Sequence, residues 1–245
     1  MKMAKSKTEV VPAKTNLPAT IRTQLAAEAD ELAKKINAPG GDKIKLTKKK
    51  TFRLPDGSEH SGPLSVVILD FASMNKYYDR PYKEGEVSPP ACYALGWEAR
   101  GLAPSKKAPD IQSDVGCDKC TLNQFGSKGD GKACGNHRVL AVVAGLGDMA
   151  GDSQSPMWIL EVSPTAIKAF DAYVATVRTQ FNVPPIGVIT DVFFDPSSEY
   201  QSLRFGNPLP NPNLELHFGR RPSARERLMV EPDVSGYAAP KKAKK

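Results

Sequence analysis

The spacing of four cysteines constrains this chain more than any other feature. Three lie in CDKCTLNQFGSKGDGKACGNH, residues 117 to 137, as Cys117-x2-Cys120 and then, after 13 intervening residues, Cys134. Two sulfurs at x2 spacing can meet one ion while N–H groups of the turn face them, and a third cysteine at this distance suits a zinc ribbon or finger. A closed structural zinc site takes four ligands. His137 offers a compact fourth, as Cys134-x2-His137. Cys92, with 24 residues between it and Cys117, offers an all-cysteine site that ties the start of a long segment to its end. Spacing alone favours His137 slightly. The expected cofactor is one structural Zn2+ per chain; the plain alternative is a set of buried thiols or a redox pair.

The same stretch contains Gly126-x4-Gly131-Lys132, the opening of a phosphate-binding loop. Such a loop continues with Ser or Thr to hold magnesium, and it joins a buried strand to a helix. Here Ala133 follows the lysine, TLNQ is no buried strand, and Cys134 stands where the helix would begin. The glycines read better as residues that turn a tight loop back toward a metal.

Clustered thiols in a chain with no apolar h-region at its start and no apolar run of membrane-spanning length point to a reducing compartment, and a cytoplasmic location is expected. The composition, 40% hydrophobic and 25% charged, suits a globular core. The formal charge of +7 is unevenly placed. Residues 1–14 carry Lys2, Lys5, Lys7 and Lys14 against Glu9, and the last five residues carry Lys241, Lys242, Lys244 and Lys245. The rest of the chain has equal numbers of each sign, so the basic excess sits in the two ends. A basic groove elsewhere must come from local arrangement.

Residues 1–16 are expected to be a disordered basic tail. A helix is expected over about 18–37, with Ile21, Leu25, Leu32 and Ile36 on one face and Pro39-Gly40-Gly41 ending it. KIKL alternates as a half-exposed strand, Pro55-Asp56-Gly57 signals a turn, and LSVVILDF (64–71) reads as a buried strand. Residues 75–110 read as irregular. RVLAVVAGL (138–146), MWILEV (157–162), IGVITDVFF (186–194) and YQSLRF (200–205) read as strands. Ser163-Pro164 caps a helix with apolar positions Ile167, Phe170, Val174, Val177 and Phe181, which Pro184-Pro185 breaks. A short charged helix is expected near 222–229. The fold class is therefore mainly β with helices, an α+β chain. The order of elements suits an OB-fold-like barrel over 17–235 with a zinc-ribbon-like insertion at about 86–138 and a basic tail at 236–245.

Cys117, Cys120, Asn123, Gln124, Phe125, Gly126, Ser127, Gly129, Gly131, Lys132, Ala133, Cys134, Asn136 and Arg138, with Pro90-Ala91-Cys92 upstream, resemble the motif of a group of bacteriophage proteins described as single-stranded-DNA-binding or left uncharacterised. The likeness covers roughly residues 89–143. It implies that the fourth ligand is Cys92 rather than His137, whose place usually holds another residue in that group. It also implies a host-cytoplasmic protein that coats or protects single-stranded DNA in replication or recombination. The zinc-containing single-strand binder of T-even phages is a looser analogue, with zinc in an insertion of an OB-fold. Many such proteins end in an acidic tail that recruits partners; this chain ends PKKAKK.

Sequence-tolerant binding of a single strand needs cations for phosphates and flat aromatic faces for bases. Four groups meet that description: Lys48, Lys49, Lys50 and Arg53; Lys76, Tyr77, Tyr78, Arg80 and Tyr82; Tyr93 and Trp97; and Phe125, Lys128, Lys132 and Arg138. The lysine run equally suits a solvated face, and Tyr77, Tyr78 and Tyr82 equally suit packing; Trp97 is expected in the core and Phe125 packed over the zinc site rather than free to stack. No pattern of acids, histidines or nucleophiles suggests catalysis, so the chain is not expected to be an enzyme. The alternatives are a zinc-braced protein-interaction module acting on a phage or host polymerase and, more distantly, a nuclease.

Overall fold

The apolar run LSVVILDF becomes the middle of the molecule, and its strand runs further than its composition suggests. In the computed structural model β4 spans Leu64–Tyr77. The described residues are 42–81 and 88–239, with Pro18, Thr20, Ile21, Gln24 and Glu28. The chain divides into Met1–Gly41 and Asp42–Lys245. In the first unit Thr20, Ile21, Gln24 and Glu28 are helical and exposed. The remainder of the helix expected over 18–37, the tail at 1–16, Tyr82 and the lysines of the last five residues lie outside the described residues.

In the second unit, β1 (Lys45–Leu46), β2 (Phe52–Arg53) and β3 (Glu59–His60) form a small antiparallel sheet. The expected KIKL strand is thus one arm of a hairpin whose turn holds Lys48–Lys50. The main sheet is antiparallel, in the order β7-β6-β4-β8-β9, with β6 at Cys134–Ala144, β7 at Trp158–Val162, β8 at Val188–Phe194 and β9 at Leu203–Pro210. β4 pairs with β6 along one side from Val66 to Tyr77. Its other side is shared by β8 at Leu64–Val67 and by β5 (Cys92–Gly96) at Ser73–Tyr77. The segment ASMNKY, read from sequence as the edge of a loop, is therefore strand because it is paired on both sides; tertiary pairing overrides its weak strand propensity.

The chain is mixed α+β and mainly sheet, and its sheets do not close into a barrel. The two ends of the main sheet are managed separately. The backbone of β7 is met on its outer side by residues 42–44, through Ile44 N–H to Ile159 O and Ile159 N–H to Asp42 O. β9 carries Pro208 and Pro210, which lack the donor a further strand would need.

Helix α1 (Ile167–Phe181) covers one face with Phe170, Tyr173 and Val177. Phe170 is fully buried, edge-on to Phe71 and Phe205 at 5.1 and 5.0 Å. Tyr173, not foreseen as a core position, donates or accepts a 2.8 Å bond with Thr190 Oγ1. The helix ends at Asn182 in the left-handed conformation, ahead of Pro184. After the short α2 (Leu214–Gly219), α3 (Arg221–Leu228) covers the opposite face with Ala224 and Leu228, and Arg221 reaches Asp70 at 3.0 Å. Among the described residues no helix is long and apolar enough to cross a membrane.

One irregularity decides which side chains meet at the far end of β4. The β4–β6 register shifts between Ile68 and Asp70, leaving Leu69 as an extra residue. Before it, Leu64, Val66 and Ile68 face α1 and Val67 and Leu69 face α3; after it, Phe71 faces α1 and Ala72 and Met74 face α3. The alternation then directs Asn75 toward the α1 side and Lys76 toward the other.

Candidate metal centre and nucleic-acid groove

The four cysteines converge at the Tyr77 end of β4. Cys92 opens β5 opposite Tyr77, and Cys134 opens β6 opposite the same residue. Cys117 and Cys120 flank a short 3-10 turn, Cys117–Lys119, held by Cys117 N–H to Leu102 O at 2.8 Å and Cys120 N–H to Cys117 O at 3.3 Å. All four are free and buried, and all four line one cavity of about 10 Å³ with Asn75, Tyr77 and Asn123. That volume is about one water-sized sphere. Among the described residues no group of three His, Cys, Asp or Glu side chains is drawn into metal-holding geometry.

The donor set suits a cation. Burial pushes the Cys92 and Cys117 thiols up, and it pushes Cys134 up to about 12, with the neighbouring thiols acting in the same direction. Two groups work the other way: the Gln112 backbone N–H beside Cys92 and the Asn75 side-chain amide beside Cys117 both favour the thiolate. Several thiolates packed together in a dry cavity need a positive charge among them, and N–H donors to sulfur are the partners that thiolate ligands keep. Cys92, Cys117, Cys120 and Cys134 would hold such an ion.

His137 stands elsewhere. Strand alternation places Cys134 and Asn136 on one face of β6 and His137 on the other. His137 Nδ1 approaches Glu161 Oε1 to 2.9 Å, at an angle that leaves the nitrogen without a well-formed hydrogen bond.

The glycine-rich loop is a hairpin rather than a phosphate loop. Gly126 N–H donates to Gly131 O at 2.9 Å, and Gly131 N–H to Lys128 O at 3.0 Å. Gly126 and Gly129 have φ of 85° and 56°, which favours glycine at both. The strand β6, not a helix, follows Ala133. Within Asn-Gln-Phe-Gly-Ser the polar side chains bond back to the backbone of the chain. Asn123 Nδ2 donates to Cys117 O, Gln124 Nε2 to Asp118 O, and Ser127 Oγ to Gln124 O, at 2.9, 2.8 and 2.7 Å. Phe125, expected to pack over the thiols, instead points outward, 80% exposed, with Lys132 Nζ 5.0 Å from its ring centre.

Phe125 and Lys132 form one wall of an open groove of about 770 Å³ on the α1 side of the sheet. Its floor includes Asn75, Asn136 and Arg138, and its other walls include Arg100, Thr165 and Lys168. Arg138 is 9% exposed and paired with Asp171 at 3.0 Å. Asp118 also lines the groove and accepts from Gly101 N–H. Arg100 and Lys168 were missed from sequence because neither has a local pattern that marks it: Arg100 lies in the irregular stretch between Cys92 and Cys117, and Lys168 lies on α1, 34 residues after Cys134. Lys168 left one trace: a cation in the first turn of a helix opposes the helix dipole, so local helix stability does not explain it.

The remaining expected contacts scatter. Tyr93 is 1% exposed and offers no face for stacking, a correction that follows from its place in β5 between β4 and the segment 102–108. Trp97 is 38% exposed with the Arg225 guanidinium 4.5 Å from its ring centre. Lys76 is mostly buried and paired with Glu161 at 2.5 Å, so its charge is spent within the fold. Tyr77 lines the thiol cavity, while Tyr78 is 41% exposed. Arg80 donates to Ala238 O, and Tyr237 Oη donates to Asp79 at 2.7 Å, so residues 237 and 238 of the expected C-terminal tail are held against the 79–80 turn. Lys48, Lys49 and Lys128 are exposed. Lys50 donates to Ser198 O at 2.7 Å, and Arg53 pairs with Glu59 at 2.6 Å. The Lys48–Arg53 group lies beyond the Leu64 end of β4, next to the turn after β8, whereas the groove lies at the Tyr77 end. At about 3.3 Å per residue the two are on the order of 40 Å apart.

Comparison of the chain with models of protein families, with curated proteins and with solved structures gives no match.

Proposed function

We propose that this chain is a sequence-tolerant single-stranded-DNA-binding protein of a bacteriophage, acting in the host cytoplasm to coat or protect DNA in replication or recombination, with no enzymatic activity of its own. On this reading the open sheet takes the place of an OB-like barrel. Cys92, Cys117, Cys120 and Cys134 hold one structural Zn2+ in a zinc-ribbon-like insertion, and the groove beside it takes the strand.

The observation that carries the reading is Phe125. A phenyl ring 80% exposed beside a lysine, in a loop where Asn123, Gln124 and Ser127 bond back to the chain's own backbone, is a stacking face with a phosphate partner. Arg100, Lys168 and Lys132 supply further positive charge along the groove. Titration of labelled oligo-dT at two salt concentrations tests it. Three or four phosphate contacts give a slope of log K against log salt of about −2 to −3. Absent or salt-independent binding rejects the reading.

A second reading, a zinc-braced module that docks on a phage or host polymerase, is favoured by one observation. Lys50, Arg53, Lys76, Arg80 and Arg138 are engaged by groups of the chain itself. Pull-down of a polymerase that survives nuclease treatment would select it.

A further inference from the structure

Trp97, expected in the core, is 38% exposed, and it stands on the opposite side of the sheet from the groove. Strand alternation along β5 puts it on the face of Leu95, which packs with Met74 and Leu228 under α3. The Arg225 guanidinium of α3 lies 4.5 Å from its ring centre, and a cation held against an indole fixes the ring without burying it. The fold leaves the charge of that guanidinium largely unspent. Its ion-pair partner among the described residues, Asp70, already accepts from Phe71 N–H at 2.9 Å and from Arg221 Nε at 3.0 Å. Arg225 Nε comes only to 3.7 Å, and its side chain is 51% exposed. Among the described residues the Arg225 guanidinium makes no hydrogen bond within the chain.

The groove reaches the same loop from the other side. Residues 97–101 join β5 to Leu102 and are exposed throughout. Ala99 and Arg100 line the groove with Phe125 and Lys132. Gly101 N–H is tied to Asp118 at 2.8 Å, beside the Cys117 N–H to Leu102 O bond. One short loop thus carries a wall of the groove at Arg100 and an aromatic face on the α3 side at Trp97. Glu98 stands between them and Glu226 follows Arg225, both exposed. The crossing is therefore marked by a ring and two cations, not by a continuous positive track. A duplex, stiff over about 150 base pairs, would have to kink to follow such a turn. A single strand, with a flexible backbone, follows it without that cost.

We propose that a single strand held in the groove passes over Arg100, turns around the 97–101 loop and stacks a further base at Trp97, with a phosphate on Arg225. The inference rests on the single-strand reading above and gives it a path, with two stacking faces on opposite sides of the sheet. Selectivity for single-stranded over duplex DNA then follows from the turn itself.

The test is titration of the full chain with oligo-dT of about 4 and about 16 nucleotides, the range that single-strand modules cover, and with a duplex of the longer length. Binding is read by tryptophan emission and by anisotropy of the labelled oligonucleotide. Trp158 is 6% exposed in the core, so quenching reports Trp97. The longer oligomer should quench the emission and the duplex should not. Trp97→Ala should weaken the longer oligomer about tenfold, the loss of one stacked base, and leave the shorter one unchanged. Trp97→Phe should keep the affinity and lose the quenching, so it reports even if Trp97→Ala folds poorly. Arg225→Ala should flatten the slope of log K against log salt for the longer oligomer by about 0.7, one phosphate contact. Suppose that Phe125→Ala weakens the longer oligomer while emission is unquenched and Trp97→Ala has no effect. That overturns the path and leaves the single-strand reading standing. So does equal weakening of both lengths by Trp97→Ala, which marks a structural ring, or equal quenching by the duplex. A chain that binds neither length overturns both.

Discussion

The two ends of β4 are held by different physics. Around Leu64–Ile68 the strand is flanked by β6 and β8 and buried under Phe52, Leu140, Leu160, Val192 and Leu203, all closed off from solvent. Around Ser73–Tyr77 the insertion contributes a small apolar cluster of Ala94, Leu102 and Cys117 with the sealed Tyr93 ring and two alanines, Ala91 and Ala108, and beside them its interior holds thiols, asparagines and backbone carbonyls. The first end is held by apolar burial, at roughly 25 cal/mol per Å² removed from water. The second has less apolar area to remove, and small units of that kind commonly rely on a cross-link or a metal. The lesson is that one continuous strand can carry a self-sufficient core and an end whose order depends on something bound.

The sharpest way to break the comparison is to damage the two ends separately. Phe170→Ala empties the contact between α1, Phe71 and Phe205, and should cost about 3–5 kcal/mol of global stability in urea denaturation, with metal content unchanged. Cys117→Ser should abolish stoichiometric Zn2+ uptake. In hydrogen exchange, protection should be lost at Cys92–Gly96 and Cys117–Cys134 but retained at β6 and β8 near Leu140 and Val192. If the whole sheet loses protection together, the two ends are not independent. Phe125→Ala should leave stability unchanged, since the ring is largely in water, and should weaken oligo-dT by about 1–3 kcal/mol; an unchanged affinity removes the stacking role.

The smallest effect concerns acid. Burial works against the Glu161 carboxylate, but contact with His137 and the Lys76 ammonium outweighs it and holds the group at about 2, below its ordinary 4.5. A depressed carboxyl stabilises the fold above its unfolded value and loses that contribution as pH falls from about 4.5 toward 2. Glu161→Gln should therefore flatten the decline of the denaturation midpoint over that interval, and a curve parallel to the parent's would show that the pairing is inert.

What was legible in the sequence divides along the same line. The apolar runs at 64–71, 138–146, 157–162 and 186–194 announced the strands of the core, because burial writes a period into the sequence; Ser163-Pro164 announced a helical segment, but Ser163 makes no side-chain cap and a 3-10 turn, Pro164–Ala166, precedes α1. The cysteine spacing announced a shared site, and the structure brings all four to one cavity. The far half of β4 was not legible: ASMNKY has no strand pattern and is strand only because β5 and β6 take both its edges. Closure of a barrel was expected and is not found, since pairing between edge strands is a property of the assembled sheet and leaves no local trace. Arg100 and Lys168 join Phe125 and Lys132 only through the folded chain, and Tyr93, aromatic beside a cysteine, gave no sign that it would be sealed in the interior.

Leu69 gives the far end of β4 its handedness of reading. As the one surplus residue against β6, it advances every later side chain by half of the two-residue beat. A strand that kept the residue but ran on without the bulge could pair just as many backbone groups. It would deliver Lys76 to the side where Asn75 now meets Asn136 and would turn the Asn75 amide toward α3. Deleting Leu69 would instead remove the surplus and leave both faces as they stand, so one residue absorbed outside the ladder keeps two surfaces in phase with β6.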